Sequence, residues 1–379
     1  MTATPSLKIL FFAEHFRLAQ AGAENDLVML CRALARRGHR IHVLSETNDE
    51  FENITTHKGL ANSQTTIDTV QPDITVDWGF FHKADIHRVG GGVHEAFLPY
   101  SMNSYSPVMR ALKRISHRIS AKHIEQREKE REILQNRNAL FLPISNFVAR
   151  QLLDAGVPEA DVKVLYNGVD TVRFTPPQDE DMRTEIREQW RVGADDIAFL
   201  FVAHNLRLKN MKLLHRVFEA LSEKNPHLKL VVAGKRAPGF TAPYLVYIGQ
   251  SDHIEKCYAG ADCLLHPSFY DSFANVVLEA MSCSLPVIVS SDTGANELIE
   301  SGKNGMILPV APGRDSRKQW RDAVDEMAAN PEARQILGRN ARKTAEAHEH
   351  KKYVDEFEQI ILHKYADKNK RESTAVEPA

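Results

Sequence analysis

The sequence contains little cysteine, no long apolar run and no marked excess of either charge. Its four cysteines, Cys31, Cys257, Cys263 and Cys283, show no C-x-x-C spacing. We therefore expect buried, reduced thiols, which excludes a disulfide framework and a cysteine zinc site. No apolar run approaches the roughly 18 residues of a membrane-spanning helix. The formal net charge of -2 gives no general attraction for nucleic acid, so no nucleic-acid partner is expected.

The remaining composition is typical of a soluble globular protein, with 43% hydrophobic and 26% charged residues. A length of 379 residues predicts two domains. The chain begins MTATPSLKILFFAEHF, and an acidic residue follows the apolar run closely. This pattern predicts a first β-strand instead of a signal peptide. A cytoplasmic protein is therefore expected.

Residues 264–297, LLHPSFYDSFANVVLEAMSCSLPVIVSSDTGANE, predict a strand, a loop, a helix and a second strand. This order is a parallel crossover unit, in which ligands bind beyond the carboxyl ends of the strands. The loop 267–275 lies there, and its amides at a helix start suit a phosphate or a sugar hydroxyl. Asp271 and Glu279 lie about two helical turns apart and suit paired sugar hydroxyls. An acidic N-cap and a solvated helix glutamate explain the same two residues equally well.

This stretch resembles the donor-site motif of retaining glycosyltransferases of family 4, which have the GT-B fold. The family pattern is a Glu, an aromatic-Gly cluster, LEAM-x-x-G-x-PV-I, then a Gly and a Glu. Here Asp271 replaces the first Glu, and Ala274 and Ser284 stand where Gly is common. The resemblance implies an α/β protein with two Rossmann-like, doubly wound domains facing a cleft.

Two loops that follow predicted strands extend the resemblance. In the first, Ala21-Gly22-Ala23-Glu24 is similar to the family's Gly-Gly-x-Glu, and Gly22 would let the backbone approach a phosphate closely. A plain strand-to-helix turn glycine is the alternative. In the second, Lys209-Asn210 is similar to the family's Lys-Gly, whose Lys holds the donor diphosphate. The family's Arg five residues before that Lys is His204 here, and Arg207 could substitute for it.

The resemblance therefore implies a set of site residues but no metal, since no D-x-D lies in a plausible donor loop, and no cofactor. The catalytic candidates are Lys209, Asp271 and His94. The candidates for donor binding are Gly22, His204, Arg207, Lys209, Asp271, Ser272, Phe273, Ala274, Asn275 and Glu279.

Three histidines, His82, His87 and His94, lie near the glycines 90–92. Their H-x4-H and H-x6-H spacings do not favour zinc, and we expect a strand-end loop that lines the interdomain cleft. The segment with Arg88 and His94 is similar to one in the lipopolysaccharide-core glucosyltransferase branch of family 4.

Residues 109–132 predict a helix whose first half is basic and amphipathic. Leu112, Ile115 and Ile119 share one face, and this pattern is typical of attachment to a membrane surface. The alternative is a surface helix that packs these three side chains on the core of the first domain. The basic residues are Arg110, Lys113, Arg114, His117, Arg118 and Lys122.

The predicted domains are 1–172, on the acceptor side, and 173–350, which binds the nucleotide sugar. The segment NGVDTVRF, residues 167–174, is similar to the family's signature at the interdomain crossing. Residues 351–365 are predicted to form a helix that returns to the first domain, and 366–379 a disordered tail.

The function implied is transfer of a sugar, most simply from a UDP-hexose, to a hydroxyl of a glycan or glycolipid, with retention. Lipopolysaccharide core or surface polysaccharide synthesis, at the inner face of the cytoplasmic membrane, is the expected setting. Two alternatives stay open: a sugar-nucleotide epimerase on the same fold, and a non-catalytic binding subunit. The departures at Ala21, His204 and Asp271 favour the second alternative.

Overall fold

The computed structural model describes residues 5–18, 23–177, 179–311 and 313–375. Over these residues the chain divides into two compact units. The first contains the described parts of 1–95, 118–168 and 351–379, and the second contains those of 96–117 and 169–350. The division at 168 falls four residues before the predicted boundary. The segment 96–117, which the sequence placed in the first domain, belongs to the second unit.

The first unit is built on a six-stranded parallel sheet of order β3-β2-β1-β4-β5-β6. The predicted strand KILFFA is buried on both faces, because helices cover a parallel sheet from both sides. The strands are β1 (Lys8–Phe16), β2 (Arg40–Asn48), β3 (Ile54–Lys58), β4 (Ile74–Asp77), β5 (Ile86–Val89) and β6 (Leu140–Pro143).

The second unit repeats this architecture in a sheet of order β12-β11-β10-β7-β8-β9, again parallel. Strand β7 lies between β8 and β10. The chain therefore runs from β7 through β8 and β9 to one lateral edge of the sheet, and then returns to β10 and continues towards the other edge. Ligands bind at such a reversal in open α/β sheets. The strands are β7 (Ile197–Val202), β8 (Leu228–Ala233), β9 (Leu245–Gly249), β10 (Cys263–His266), β11 (Val287–Ser290) and β12 (Met306–Leu308).

The two sheets establish the predicted fold class: two Rossmann-like α/β domains, each with a parallel sheet. Helices connect the strands in both units. In chain order they are α1 (Ala23–Arg36), α2 (Ser63–Val70), α3 (His94–Met102), α4 (Pro107–Ile119), α5 (Ala121–Leu134), α6 (Asn146–Asp154), α7 (Glu180–Trp190), α8 (Met211–Ser222), α9 (Ile254–Gly260), α10 (Asn275–Ser282), α11 (Arg314–Ala329), α12 (Pro331–Ala347) and α13 (His350–Ala375).

Each unit has its own apolar core. In the second, Phe199, Phe218 and Trp320 are fully buried, and the Trp320 indole N–H donates to the Pro309 carbonyl at 3.0 Å. Burying one such aromatic side chain contributes about 1.5–3 kcal/mol. The four cysteines are buried thiols, as predicted. Burial, followed by the nearby Glu279 charge, raises the pKa of Cys283 to about 12, which makes it a poor nucleophile.

Helix α13 packs Val354, Phe357 and Ile361 into the core of the first unit. It continues to Ala375, so the prediction of a disordered tail from residue 366 is wrong for residues 366–375. This segment contains neither Gly nor Pro, and its polar residues extend the helix without an apolar face. The Lys368 ammonium donates to the Asp85 carboxylate at 3.1 Å and ties the extension to the first unit.

Candidate functional site

The loops after β7 and β10 leave the second sheet at the same end, which is called its carboxyl edge because the strands end there. The two strands pair in parallel, with Leu200 opposite Leu264. The backbone joins these loops directly, since the Phe269 amide donates to the Leu208 carbonyl at 2.9 Å. Lys209 and Asp271, which are 62 residues apart in the sequence, are therefore brought into contact.

The Lys209 ammonium contacts Oδ2 of Asp271. His266, the last residue of β10, places its Nε2 3.0 Å from the same oxygen. The other oxygen, Oδ1, accepts the Phe273 amide at 3.3 Å. The His266 side chain is 1% exposed, whereas Lys209 and Asp271 are 20% and 16% exposed. The two charged groups therefore lie near the surface of the second unit, and the histidine lies behind them.

The charges in this cluster are strongly coupled. Burial by itself raises the pKa of Asp271, but the Lys209 ammonium and the hydrogen bond from His266 hold that pKa well below its usual range. Burial and the positive charge of Lys209 lower the pKa of His266, against the opposing effect of Asp271. At neutral pH Asp271 is therefore an anion and the His266 imidazole is neutral, and its Nε2 carries the proton that it donates to the carboxylate.

Two residues in left-handed backbone conformations precede the helices at this edge. Asn210 has φ 63° before α8, and Ala274 has φ 67° before α10. Glycine adopts this conformation most readily. This explains why the family pattern has glycine at the two positions that Asn210 and Ala274 occupy here. Both helices begin at the carboxyl edge of the sheet, where their first-turn amides and dipoles favour an anion.

Glu279 lies on α10, about one turn beyond Asn275, and is half-buried. One of its carboxylate oxygens accepts the Tyr258 phenol at 2.6 Å. Burial, followed by the Glu279 charge, raises the pKa of Tyr258 well above its usual value, so the phenol stays protonated and donates. Phe273 is buried, and Ser272 and Asn275 are half-buried on either side of the α10 start.

The two residues considered for the missing family arginine differ in their surroundings. His204 is exposed after the end of β7, and burial, then Lys235, then Lys209 lower its pKa, so it is neutral at pH 7. Arg207 is exposed, and its guanidinium carbon lies 3.9 Å from the centroid of the Tyr105 ring. A cation stacked on an aromatic face is stabilised there, so this contact orients Arg207.

The remaining candidates belong to the first unit. Gly22, with Ala21, lies outside the described residues. The Nε2 of His94 lies 2.9 Å from Nδ1 of His123, the two rings stack at 5.0 Å, and the His94 amide donates to Glu130. His94 and Lys209 thus belong to different units.

The segment around Arg88 has a structural role in the first unit. Arg88 is 1% exposed and donates to the Leu142 and Leu165 carbonyls and to Asn167 Oδ1. The expectation that Arg88 belongs to a strand-end loop is wrong, because Arg88 lies within β5 and its guanidinium satisfies buried carbonyls. His87 is equally buried and bonds Asp77 at 3.1 Å.

Sequence reasoning missed His266 and Tyr258 as parts of the site. His266 ends a predicted strand directly before Pro267, so its place at the carboxyl edge was available as a signal. Tyr258 gave no such signal, because its contact with Glu279 depends on how α9 packs beside α10.

Comparison with known protein families agrees with the fold. Residues 182–344 match the family model described as glycosyl transferases group 1, and residues 21–173 match the model described as glycosyltransferase family 4. Glycosyltransferase family models thus match both halves of the chain, in agreement with its two-domain fold.

Similar curated proteins match part of the chain. A D-inositol 3-phosphate glycosyltransferase of Actinosynnema mirum is 32% identical over 203 residues, covering 48% of this chain and 47% of that protein. An uncharacterized glycosyltransferase of Methanocaldococcus jannaschii is 31% identical over 201 residues, covering 49% and 50%. The chain spans about half the length of the curated relatives it matches.

Solved structures match over nearly the whole chain at low identity. WaaG, a glycosyltransferase involved in lipopolysaccharide biosynthesis, superposes with a TM-score of 0.77 at 16% identity, covering 93% of this chain and 99% of that one. Anabaena Alr3699/HepE, solved in complex with UDP-glucose, has a TM-score of 0.69 at 16% identity, with 94% and 99% covered. At this identity the likeness shows the fold alone.

Proposed function

We propose that this protein transfers a sugar from a nucleoside diphosphate donor to a hydroxyl of a glycan or glycolipid, with retention at the anomeric carbon. The observation that carries the proposal is the contact of Lys209 with Asp271 at the carboxyl edge of the second sheet. Two helix starts, at Met211 and Asn275, flank this pair. A partly exposed ammonium between two helix N-termini suits a diphosphate.

Lys209 is the proposed catalytic residue. An ammonium has three N–H donors, and Asp271 is its one hydrogen-bond partner among the described residues, which leaves N–H groups for the diphosphate. Negative charge grows on the diphosphate as the glycosidic bond breaks, so a fixed cation stabilises the transition state. In the front-face displacement that the family resemblance implies, the departing diphosphate takes the acceptor proton. The positive charge of Lys209 lets this step proceed without a resident metal.

Glu279 is the proposed hydroxyl-binding residue of the donor site. The Tyr258 hydrogen bond fixes its orientation, and a carboxylate accepts two neighbouring sugar hydroxyls well. A UDP-hexose is the proposed donor, and the fold shared with Alr3699/HepE, whose structure contains UDP-glucose, supports it.

A lipid-linked acceptor at the inner face of the cytoplasmic membrane is proposed from α4. Leu112, Ile115 and Ile119 are 56%, 60% and 73% exposed, so they are not packed on a domain core as the alternative required. Basic side chains border this apolar face, which is the pattern of a helix lying on an anionic surface. No helix in the described part of the chain is long and apolar enough to cross a membrane. The shared fold of WaaG supports an acceptor such as a lipopolysaccharide core.

The experiment begins with a thermal-shift screen of UDP-, GDP- and ADP-sugars. The donor that stabilises the protein is then incubated with and without a panel of glycan and glycolipid acceptors. Transfer with a retained anomeric configuration supports the proposal. An isomerised sugar nucleotide without acceptor would establish the epimerase, and donor binding without any turnover would establish the non-catalytic subunit.

A further inference from the structure

His266 is buried in the second unit and contacts the Lys209–Asp271 ion pair at the carboxyl edge of the sheet. Its side chain is 1% exposed, and its Nε2 lies 3.0 Å from Oδ2 of Asp271, the oxygen that also contacts Lys209. A buried polar side chain in contact with a partly exposed ion pair is costly unless its hydrogen bonds are made. The position therefore restricts the protonation state and the tautomer of the imidazole.

The other ring nitrogen identifies the tautomer. Nδ1 of His266 is buried and has no hydrogen-bond partner among the described residues. A neutral ring that is protonated at Nε2 leaves only a lone pair at Nδ1, whereas the other tautomer would bury an unpaired N–H and point a second lone pair at the Asp271 carboxylate. The arrangement therefore requires His266 to donate to Asp271.

Both oxygens of the Asp271 carboxylate already have hydrogen-bond partners within the protein. Its Oδ2 receives both Lys209 and His266, and its Oδ1 receives the Phe273 amide. Asp271 is one methylene shorter than the glutamate of the family pattern, so it has less reach towards a donor sugar. Its contact with the Lys209 ammonium instead suits it to hold that ammonium in place.

We infer that His266 is a positioning residue, which holds the Asp271 carboxylate against Lys209 so that the ammonium is fixed where the donor diphosphate leaves. This inference rests on the proposed function for its kinetic consequence, and it revises Asp271 from a sugar ligand to the anchor of Lys209. The charged groups that face His266 are Lys209, from the loop after β7, and Asp271, from the loop after β10.

Two substitutions at His266 separate donation from packing. In His266→Gln the amide nitrogen can occupy the place of Nε2 and donate to Asp271, whereas His266→Leu fills similar volume without a donor. His227→Gln is the matched control, because His227 is a 56%-exposed histidine in the same unit. The kinetic constants are measured per folded site, counted by binding of the nucleotide, and thermal unfolding follows stability.

We expect His266→Leu to lower kcat about 10- to 100-fold with KM for the donor changed less than about threefold, because a displaced Lys209 weakens the transition state more than ground-state binding. His266→Gln should restore kcat to within about fivefold of wild type. Equal losses in the two variants, or an unchanged kcat in His266→Leu, would overturn the inference.

A second measurement does not depend on activity. Nitrogen-15 spectra of the histidine rings, with His266 assigned by its absence in His266→Gln, should show a neutral Nε2–H tautomer from pH 8 down to pH 6. Asp271→Asn should change this signal, since the carboxylate acceptor is lost. A Nδ1–H tautomer in the wild type would overturn the inference even if transfer occurs. If the protein transfers no sugar and yet shows the expected tautomer and its response to Asp271→Asn, the proposed function fails while the positioning contact stands.

Discussion

The Tyr258 phenol donates a 2.6 Å hydrogen bond to the carboxylate of Glu279. Tyr258 is 1% exposed, whereas Glu279 is only half-buried. The buried tyrosine thus orients one oxygen of the carboxylate that is proposed to bind hydroxyls of the donor.

Removing this hydroxyl in Tyr258→Phe should weaken donor binding. We expect a loss of about 1–2 kcal/mol, because Glu279 would lose a hydrogen bond that fixes a charged acceptor. Calorimetric titration with the nucleotide sugar measures it. Tyr244→Phe is the control, since Tyr244 donates a comparable hydroxyl to the His215 carbonyl away from Glu279. Identical affinities for Tyr258→Phe and the wild type would remove Tyr258 from the donor site.

Substituting Glu279 itself tests the hydroxyl-binding role. Glu279→Gln keeps the size of the side chain and an acceptor for Tyr258 but removes the charge. Donor binding should weaken by roughly 1.5–3 kcal/mol, with a smaller effect on kcat, because hydroxyl contacts to a carboxylate are lost equally in the ground and transition states. Glu326→Gln, an exposed change on α11, should leave both constants unchanged. A loss confined to kcat would contradict the binding role.

The loop after α10 offers a test of backbone strain. Ser284 has φ 57°, a conformation that costs a non-glycine residue about 1–2 kcal/mol, and Gly is common here in the family pattern. Ser284→Gly should raise the free energy of unfolding by about 0.5–1 kcal/mol, after the greater entropy of glycine in the unfolded chain is subtracted. Chemical denaturation measures the change.

The matched control for Ser284→Gly lies one turn earlier. Ala280→Gly, inside α10, should lower stability by about 1 kcal/mol. Destabilisation by both substitutions would show that the strain at Ser284 is relieved by its surroundings.

Sedimentation with anionic vesicles tests the proposed membrane contact of α4. Arg110, Lys113, Arg114 and Arg118 of α4, and Lys122 at the start of α5, each contribute about 1 kcal/mol near an anionic surface, so even half of that total gives reversible binding. The wild type should pellet at low salt and be released at high salt, because salt screens these charges within about 10 Å at 0.1 M.

The triple variant Lys113→Glu, Arg114→Glu and Arg118→Glu should stay in the supernatant. A control with Arg317, Arg339 and Lys343 changed to Glu makes the same change in net charge at exposed positions of α11 and α12 and should still pellet. A wild type that does not pellet at low salt would rule out this attachment.

The sequence predicted the fold class and the loop 267–275 because these depend on local patterns. Each of these patterns can be recognised within about ten residues. They are the apolar runs of strand length, the glycines after helices and the LEAM-PVI segment. The left-handed conformation of Ala274 follows from the same local pattern, since the family places glycine there.

The contacts of the site depend on packing between distant segments and could not be predicted in this way. The Tyr258–Glu279 hydrogen bond requires α9 to lie beside α10, and the Lys209–Asp271 contact joins loops 62 residues apart. The burial of Arg88 against the Leu142 and Leu165 carbonyls was hidden for the same reason, because a charged residue in a short motif resembles a ligand.

The direct test of the donor site is the rate at which Lys209→Ala transfers sugar. A charge contact made as the diphosphate leaves is worth about 2–4 kcal/mol, so kcat/KM should fall roughly 30- to 1,000-fold while thermal unfolding stays close to that of the wild type. Lys224→Ala is the control, because Lys224 is exposed just beyond the opposite end of α8, and it should transfer normally. An unchanged kcat/KM in Lys209→Ala would contradict the assignment of Lys209 and the proposed site.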